Sequence, residues 1–145
     1  MTYCTQSDLE KIIPDQDLIQ LTDDSVPPEA VDADNVARAI SDAGELIDGY
    51  LRERYTLPFD PVPGLLNTLA ADIAVWRLYA RRANIEPMEG VKERYKNALK
   101  LLDQIRTGGL SLGTGSIAAP EGSGGTASSK TPGDRIFTRT TLENY

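Results

Sequence analysis

Four aspartates, Asp23, Asp24, Asp32 and Asp34, are the nearest this sequence comes to a ligand set. Closely spaced carboxylates are what a calcium loop uses, but such a loop also needs a central glycine and a closing glutamate. The stretch "DDSVPPEAVDAD" lacks that pattern and carries Pro27 and Pro28 at its middle. Helix capping and solvation account for these acids better, so no metal ligand is assigned. The chain has one cysteine, Cys4, and no histidine. Without histidine it lacks the usual general base, the commonest transition-metal ligand and the partner of a Cys–His nucleophile. Cys4 therefore reads as a buried structural thiol in a protein made in a reducing compartment. The glycines of "GGLSLGTGSI" do not form the G-x-x-x-x-G-K-S/T pattern of a phosphate loop, and they follow a helix rather than a strand. Acidic pairs on helices are too common to nominate an acid–base couple. The sequence predicts no catalytic residue, no cofactor and no metal, and the chain is read as a non-enzyme.

The remaining chemistry is charge. The net charge is −7. Residues 1–60 hold 14 acids against 4 bases, a net of −10, whereas 61–107 hold 5 acids against 8 bases, a net of +3. The basic side chains Arg77, Arg81, Arg82, Lys92, Arg94, Lys96 and Lys100 could form a nucleic-acid patch, but a chain of pI about 4.6 is a poor sequence-independent DNA binder. Snorkelling and helix-surface ion pairs explain them more simply. A sharper reading is head-to-tail association, the acidic half of one copy against the basic half of the next. Arg77, Arg81, Arg82, Lys92 and Lys96 are then the subunit-interface candidates, and the competing possibility is an acidic half that lines a channel.

These side chains need elements to hold them, and the periodicity is helical throughout. "TQSDLEKII" predicts a short helix with Thr5 as N-cap and Asp8 reaching back to it. Pro14 ends that helix or opens a second through "DQDLIQLT". The tandem prolines make 23–34 a loop. A long helix follows, capped by Asp32 or Asp34, with Val36, Ile40, Ala43, Ile47, Tyr50 and Leu51 on one stripe. Gly44 and Gly49 inside it suggest close approach of another helix. A second long helix opens after Pro63, with Leu65, Leu69, Ile73, Trp76 and Ala80 in phase and Leu66, Ala70 and Tyr79 widening the arc. That breadth predicts a central helix, with Trp76 between Ile47 or Leu51 on one side and Tyr95 or Leu102 on the other. The third long helix carries Val91, Tyr95, Ala98, Leu102 and Ile105 and stops at Gly108 or Gly109. The expected fold is all-α: a small bundle of three long helices plus short N-terminal helices, with an extended C-terminal arm. Residues 1–31 hold the short helices and the Pro-rich loop and form one domain with the 32–107 bundle core; residues 108–145 are linker and arm. No window approaches the roughly 20 apolar residues of a membrane span, and no secretory signal is expected.

The arm returns to anchors after its Gly/Ser stretch. "GDRIFTRTTLENY" brings Arg135, Ile136, Phe137, Arg139, Leu142 and Tyr145, a set with apolar area and forked donors suited to a partner. Truncation after Gly109 is expected to leave the bundle's stability nearly unchanged, because every predicted apolar stripe precedes it.

The motifs "TYCTQSDL", "LIQLTD", "IDGYLRERYTLP", "LAADIAVWRLY", "RYKNALKLLDQIRTGGLSLG" and "RIFTRTTL" resemble, in order and spacing, the Mu-like phage family of small head–tail connector proteins. The likeness covers nearly the whole chain; the order of the motifs is more specific than any one of them. The 22–34 stretch departs from the Gly- and Asp-rich turn of many relatives, so no ion site is carried over. The resemblance implies a ring-forming adaptor, usually of twelve copies, docked beneath the portal protein in the virion neck after synthesis in the host cytoplasm. Its partners would be the portal, neighbouring copies of itself, and stopper or tail proteins. DNA would pass through its channel without specific binding, and no membrane is involved. The alternatives are a stopper or tail-terminator of the same neck or, in another class, a small helical DNA-binding regulator.

Overall fold

A computed structural model describes residues 2–115. Among them the chain forms five helices and no strand: α1 (Gln6–Glu10), α2 (Asp15–Thr22), α3 (Ala33–Leu51), α4 (Gly64–Arg81) and α5 (Glu89–Thr107). The boundaries follow local chemistry. The backbone N–H and hydroxyl of Thr5 both donate to the Asp8 carboxylate at 2.9 Å, satisfying the entry to α1. Pro14 and Pro63 stand immediately before α2 and α4, where a missing N–H costs nothing. Asp32 caps α3, its Oδ1 accepting from the N–H groups of Asp34 and Asn35 at 2.9 and 3.1 Å. Gly108 ends α5 with φ of 90°, in the left-handed region that favours glycine, and the Arg54 guanidinium occupies the space that a side chain's first carbon would need.

Helices α3, α4 and α5 pack as a three-helix bundle, α1 and α2 close against α4, and α2 also meets α3. The centre is made by Ile47 and Leu51 of α3, Leu66, Ile73 and Leu78 of α4, and Leu102 and Ile105 of α5, all fully buried. A tilted aromatic chain, Tyr3–Phe59–Tyr55, with ring centres 6.4 and 5.7 Å apart, joins the N-terminal segment to the connection after α3. The Tyr3 hydroxyl donates to the carboxylate of Asp48. Cys4 is buried and free, as expected of a structural thiol.

Helix α4 is central, and most of its expected apolar arc is buried: Leu66, Leu69, Ala70, Ile73 and Tyr79. Leu65, 36% exposed, the exposed Ala80 and the half-buried Trp76 depart from it, and Ala71, Ala74, Val75 and Leu78 are buried besides. The cause is that α4 meets a neighbour on several sides, so no single line of its surface defines the core. Trp76 meets Tyr95 of α5 as expected, stacking at 4.8 Å and 10° between ring planes, but it is half-buried at the edge of the core and not at its centre. Packing also runs past the expected end of the bundle. Leu110 and Leu112 lie partly buried on the core, and the Leu112 N–H donates to the Tyr55 hydroxyl at 3.3 Å. Of the two glycines in α3, Gly44 is buried, while Gly49 is exposed with open space around it.

Candidate functional site

The exposed 23–32 loop is held by polar contacts at both ends and along its length. The Asp23 carboxylate accepts from the Ser25 N–H (2.9 Å) and hydroxyl (2.7 Å) and from the N–H groups of Glu29 (2.8 Å) and Ala30 (3.2 Å). Those donors, the Glu29 N–H foremost, hold its carboxyl well below the usual carboxylate range. Arg81 donates to both oxygens of Asp24 and to the carbonyls of Leu21 and Thr22 at the end of α2. Arg82 donates to the Asp23 carbonyl and pairs with Asp24 at 3.1 Å. Asn35 closes the loop's other end on the Thr22 carbonyl at 2.9 Å. Val26, at 96% exposure, stands on this braced loop.

Next to the loop the α4–α5 connection is hollowed. A space of about 240 Å³ is lined by Asp17, Leu21, Tyr79, Ile85, Glu86 and Met88 among others, and a second of about 370 Å³ by Trp76, Tyr79, Arg82, Ile85, Glu86 and Pro87. On the flank of α3, Asp42, Glu45, Leu46 and Arg77 surround about 430 Å³, and Glu45, Leu46, Tyr50 and Arg106 about 300 Å³.

The five basic interface candidates fall into two groups. Arg81 and Arg82 are engaged by the 23–24 loop, and Lys92 pairs with Glu86 at 3.1 Å and Glu89 at 3.5 Å. Arg77 and Lys96 are exposed and their side chains enter no hydrogen bond or ion pair among the described residues. The side chains of Asp34, Asp42 and Glu45 of α3 are likewise unpaired there, as is that of Lys100 of α5. The arm candidates Arg135, Ile136, Phe137, Arg139, Leu142 and Tyr145 lie outside the described residues. Sequence reasoning missed the Arg81–Asp24 clamp and the ion pair of Arg94 with the buried Asp72 at 2.8 Å. The matched doublets Asp23–Asp24 and Arg81–Arg82 were the available signal for the clamp. For Asp72, an acid in the middle of an otherwise apolar helix was the signal.

Burial first, and the Asp8 charge second, push the Cys4 thiol up to about 12, the opposite of an activated nucleophile. Among the described residues no group of three His, Cys, Asp or Glu side chains is placed to hold a metal ion, and no helix is long and apolar enough to cross a membrane.

Fold and surface together define a small α-helical protein whose shaped features are a braced loop, shallow grooves and unpaired charges. The chain belongs to the family described as Bacteriophage Mu, Gp36, whose model matches residues 3–130. It is 35% identical over 103 residues to "Gene product J" of Escherichia phage Mu, a match covering 70% of this chain and 67% of that protein. It is 34% identical over 88 residues to the "Mu-like prophage FluMu protein gp36" of Haemophilus influenzae (strain ATCC 51907 / DSM 11121 / KW20 / Rd), covering 59% of this chain and 60% of that one. It is thus a protein of Mu-like phages.

Proposed function

We propose that this chain is a structural protein of the phage particle, the head–tail adaptor that forms a ring beneath the portal and joins the DNA-filled head to the tail. Family membership supports a phage protein; the observation that carries the adaptor reading is the unpaired charge on the long helices. Asp34, Asp42 and Glu45 of α3 and Arg77, Lys96 and Lys100 of α4 and α5 have no ion-pair partner among the described residues, whereas Arg81, Arg82 and Lys92 do. Arg77 shares one hollow with Asp42 and Glu45, while Lys96 and Lys100 stand on α5; the acids of that hollow on one copy against the α5 cations of the next make a heterologous contact that repeats and closes into a ring. Of the candidate cations Arg77 and Lys96 are the ones left open among the described residues, while Arg81 and Arg82 brace the 23–24 loop. Twelve copies, a place in the virion neck and docking of 134–145 on the portal or a neighbouring copy complete the proposal.

A charge swap tests it. In native mass spectrometry, Arg77→Glu with Lys96→Glu should be monomeric, and so should Asp42→Lys with Glu45→Lys. Mixed together, the two variants should assemble, because each then offers what the other lacks. Wild-type assembly should weaken as salt rises to about 1 M, where screening shortens to about 3 Å. Assembly of either variant alone, or indifference of the wild type to salt, contradicts the charge interface.

A further inference from the structure

The two hollows at the α4–α5 connection share Tyr79, Ile85 and Glu86, and so make one groove. Its floor is apolar: Trp76, Tyr79 and Ile85, continued by Met88, which is 53% exposed. Its rim carries Asp17 and Glu86, the latter paired with Lys92 at 3.1 Å, so Asp17 is its open acid; the one cation lining it, Arg82, is neutralised by Asp24 and the Asp23 carbonyl. A trough of this kind fits a segment with large apolar side chains and flanking cations. The chain carries such a segment beyond the described residues, in Arg135, Ile136, Phe137, Arg139, Leu142 and Tyr145.

We propose that this groove takes the 134–145 segment of a neighbouring copy. The proposal rests on the adaptor reading, since a contact between copies holds a ring together and a contact within one copy does not. Reach permits it. The described chain leaves the bundle beside Tyr55, past the end of α5, whereas Met88 stands at the start of that helix. The 19 residues of α5 rise about 28 Å. The 18 residues from 116 to 133 can span up to about 60 Å, enough to pass the length of the helix and cross to the next subunit. Arg135 and Arg139 then meet Asp17 and Glu86, while Phe137 and Tyr145 offer aromatic area to Tyr79, Ile85 and Trp76.

The chain's one tryptophan lies in the groove, so it reports its own occupancy. The acceptor is the full chain with Phe137→Ala and Tyr145→Ala; the donor is the full chain with Trp76→Phe, which lacks tryptophan emission. Adding donor should move the acceptor's emission to shorter wavelength. A donor that also carries Phe137→Ala and Tyr145→Ala should do nothing, and Asp17→Lys with Glu86→Lys in the acceptor should require about five to ten times more donor. A synthetic peptide of residues 133–145 serves as a second donor and removes dependence on the folding of the Trp76→Phe chain. The proposal is overturned if neither donor shifts the emission, or if the shift survives loss of the two aromatic anchors. It is also overturned if the shift disappears only with Val26→Asp in the donor, which would make the braced loop the occupant. Wild-type emission that is shifted at every dilution, with no response of the acceptor to donor, would place the segment in its own groove and overturn the proposal as well. If these fail while particles lacking the protein still have heads without tails, the adaptor reading stands and the groove assignment falls. A positive shift with tailed particles in the protein's absence would instead keep the groove contact and remove the adaptor role.

Discussion

The guanidinium of Arg81 donates to both carboxylate oxygens of Asp24, at 2.9 and 3.0 Å, and so ties the last turn of α4 to a loop 57 residues earlier in the chain. The same side chain reaches the carbonyls of Leu21 and Thr22, where α2 ends and a cation is favoured by the helix dipole. Arg81→Ala is expected to cost about 1–2 kcal/mol, chiefly through those charge-assisted bonds to α2. The Asp24 carboxylate is largely exposed, so its pairing adds little. Urea titrations should therefore show Arg81→Ala lowering the midpoint clearly more than Asp24→Asn. Equal effects would mean that the ion pair, not the carbonyl contacts, holds the loop.

Trp76 and Leu102 give a second comparison. Leu102 is fully buried, and Leu102→Ala should cost about 2–5 kcal/mol. Trp76 is half-buried and stacks on Tyr95 at the margin of the bundle, so Trp76→Ala should cost about 1–2 kcal/mol despite the larger side chain. Chemical denaturation that ranks Trp76 above Leu102 would place the tryptophan in the core after all.

Acid should destabilise the protein, and the sign follows from two carboxylates. Asp8 is held well below the ordinary carboxylate range by Lys11 first, then by the Thr5 N–H and Asn67; Asp23 is held there by the N–H groups of its loop. A depressed folded pKa contributes stability that is full above the unfolded value, about 4, and is lost as pH falls towards the folded one. The urea midpoint should drop between pH 5 and pH 3, and Asp8→Asn or Asp23→Asn should flatten that drop. An acid limb unchanged in both variants would assign the loss to other groups.

Cys4 provides a kinetic check. At 2% exposure and with its thiol pushed up to about 12, it should resist a thiol-specific reagent in native protein at pH 8 and react at once in denaturant. Rapid labelling of the native chain would mean that the N-terminal segment does not stay packed.

The end of the folded unit can be set by truncation. Because Leu110 and Leu112 pack on the core, ending the chain after Gly109 should lower stability by about 1–3 kcal/mol, whereas ending it after Gly115 should leave the midpoint nearly unchanged. Identical midpoints for the two truncations would return the boundary to Gly109.

Helix boundaries were readable because single residues carry their cause. Thr5 with Asp8, Asp32, Pro63 and Gly108 each act within one turn; the spacing marked Thr5 with Asp8 and Pro63 directly, and the structure selects Asp32 over Asp34 and Gly108 over Gly109. The broad arc of α4 was readable in Leu66, Leu69, Ala70, Ile73 and Tyr79, but its edges were not: the neighbours of α4, not its period, bury Ala74 and Leu78 and leave Leu65 and Ala80 outside. The same holds for charge. Sequence marks Arg77, Arg81, Arg82, Lys92 and Lys96 as equivalent cations; only tertiary placement separates Arg81, clamped on Asp24, from Lys96, which has no partner among the described residues. Leu110 and Leu112 were hidden because they stand in a Gly- and Ser-rich context, although both lie partly buried on the core and the Leu112 N–H donates to the Tyr55 hydroxyl.

The adaptor reading meets its most direct test in electron microscopy of particles produced by a Mu-like phage lacking this protein. DNA-filled heads and free tails that do not join are predicted, with joining restored by the wild-type chain and not by Arg77→Glu with Lys96→Glu. Tailed, infectious particles in its absence would contradict it.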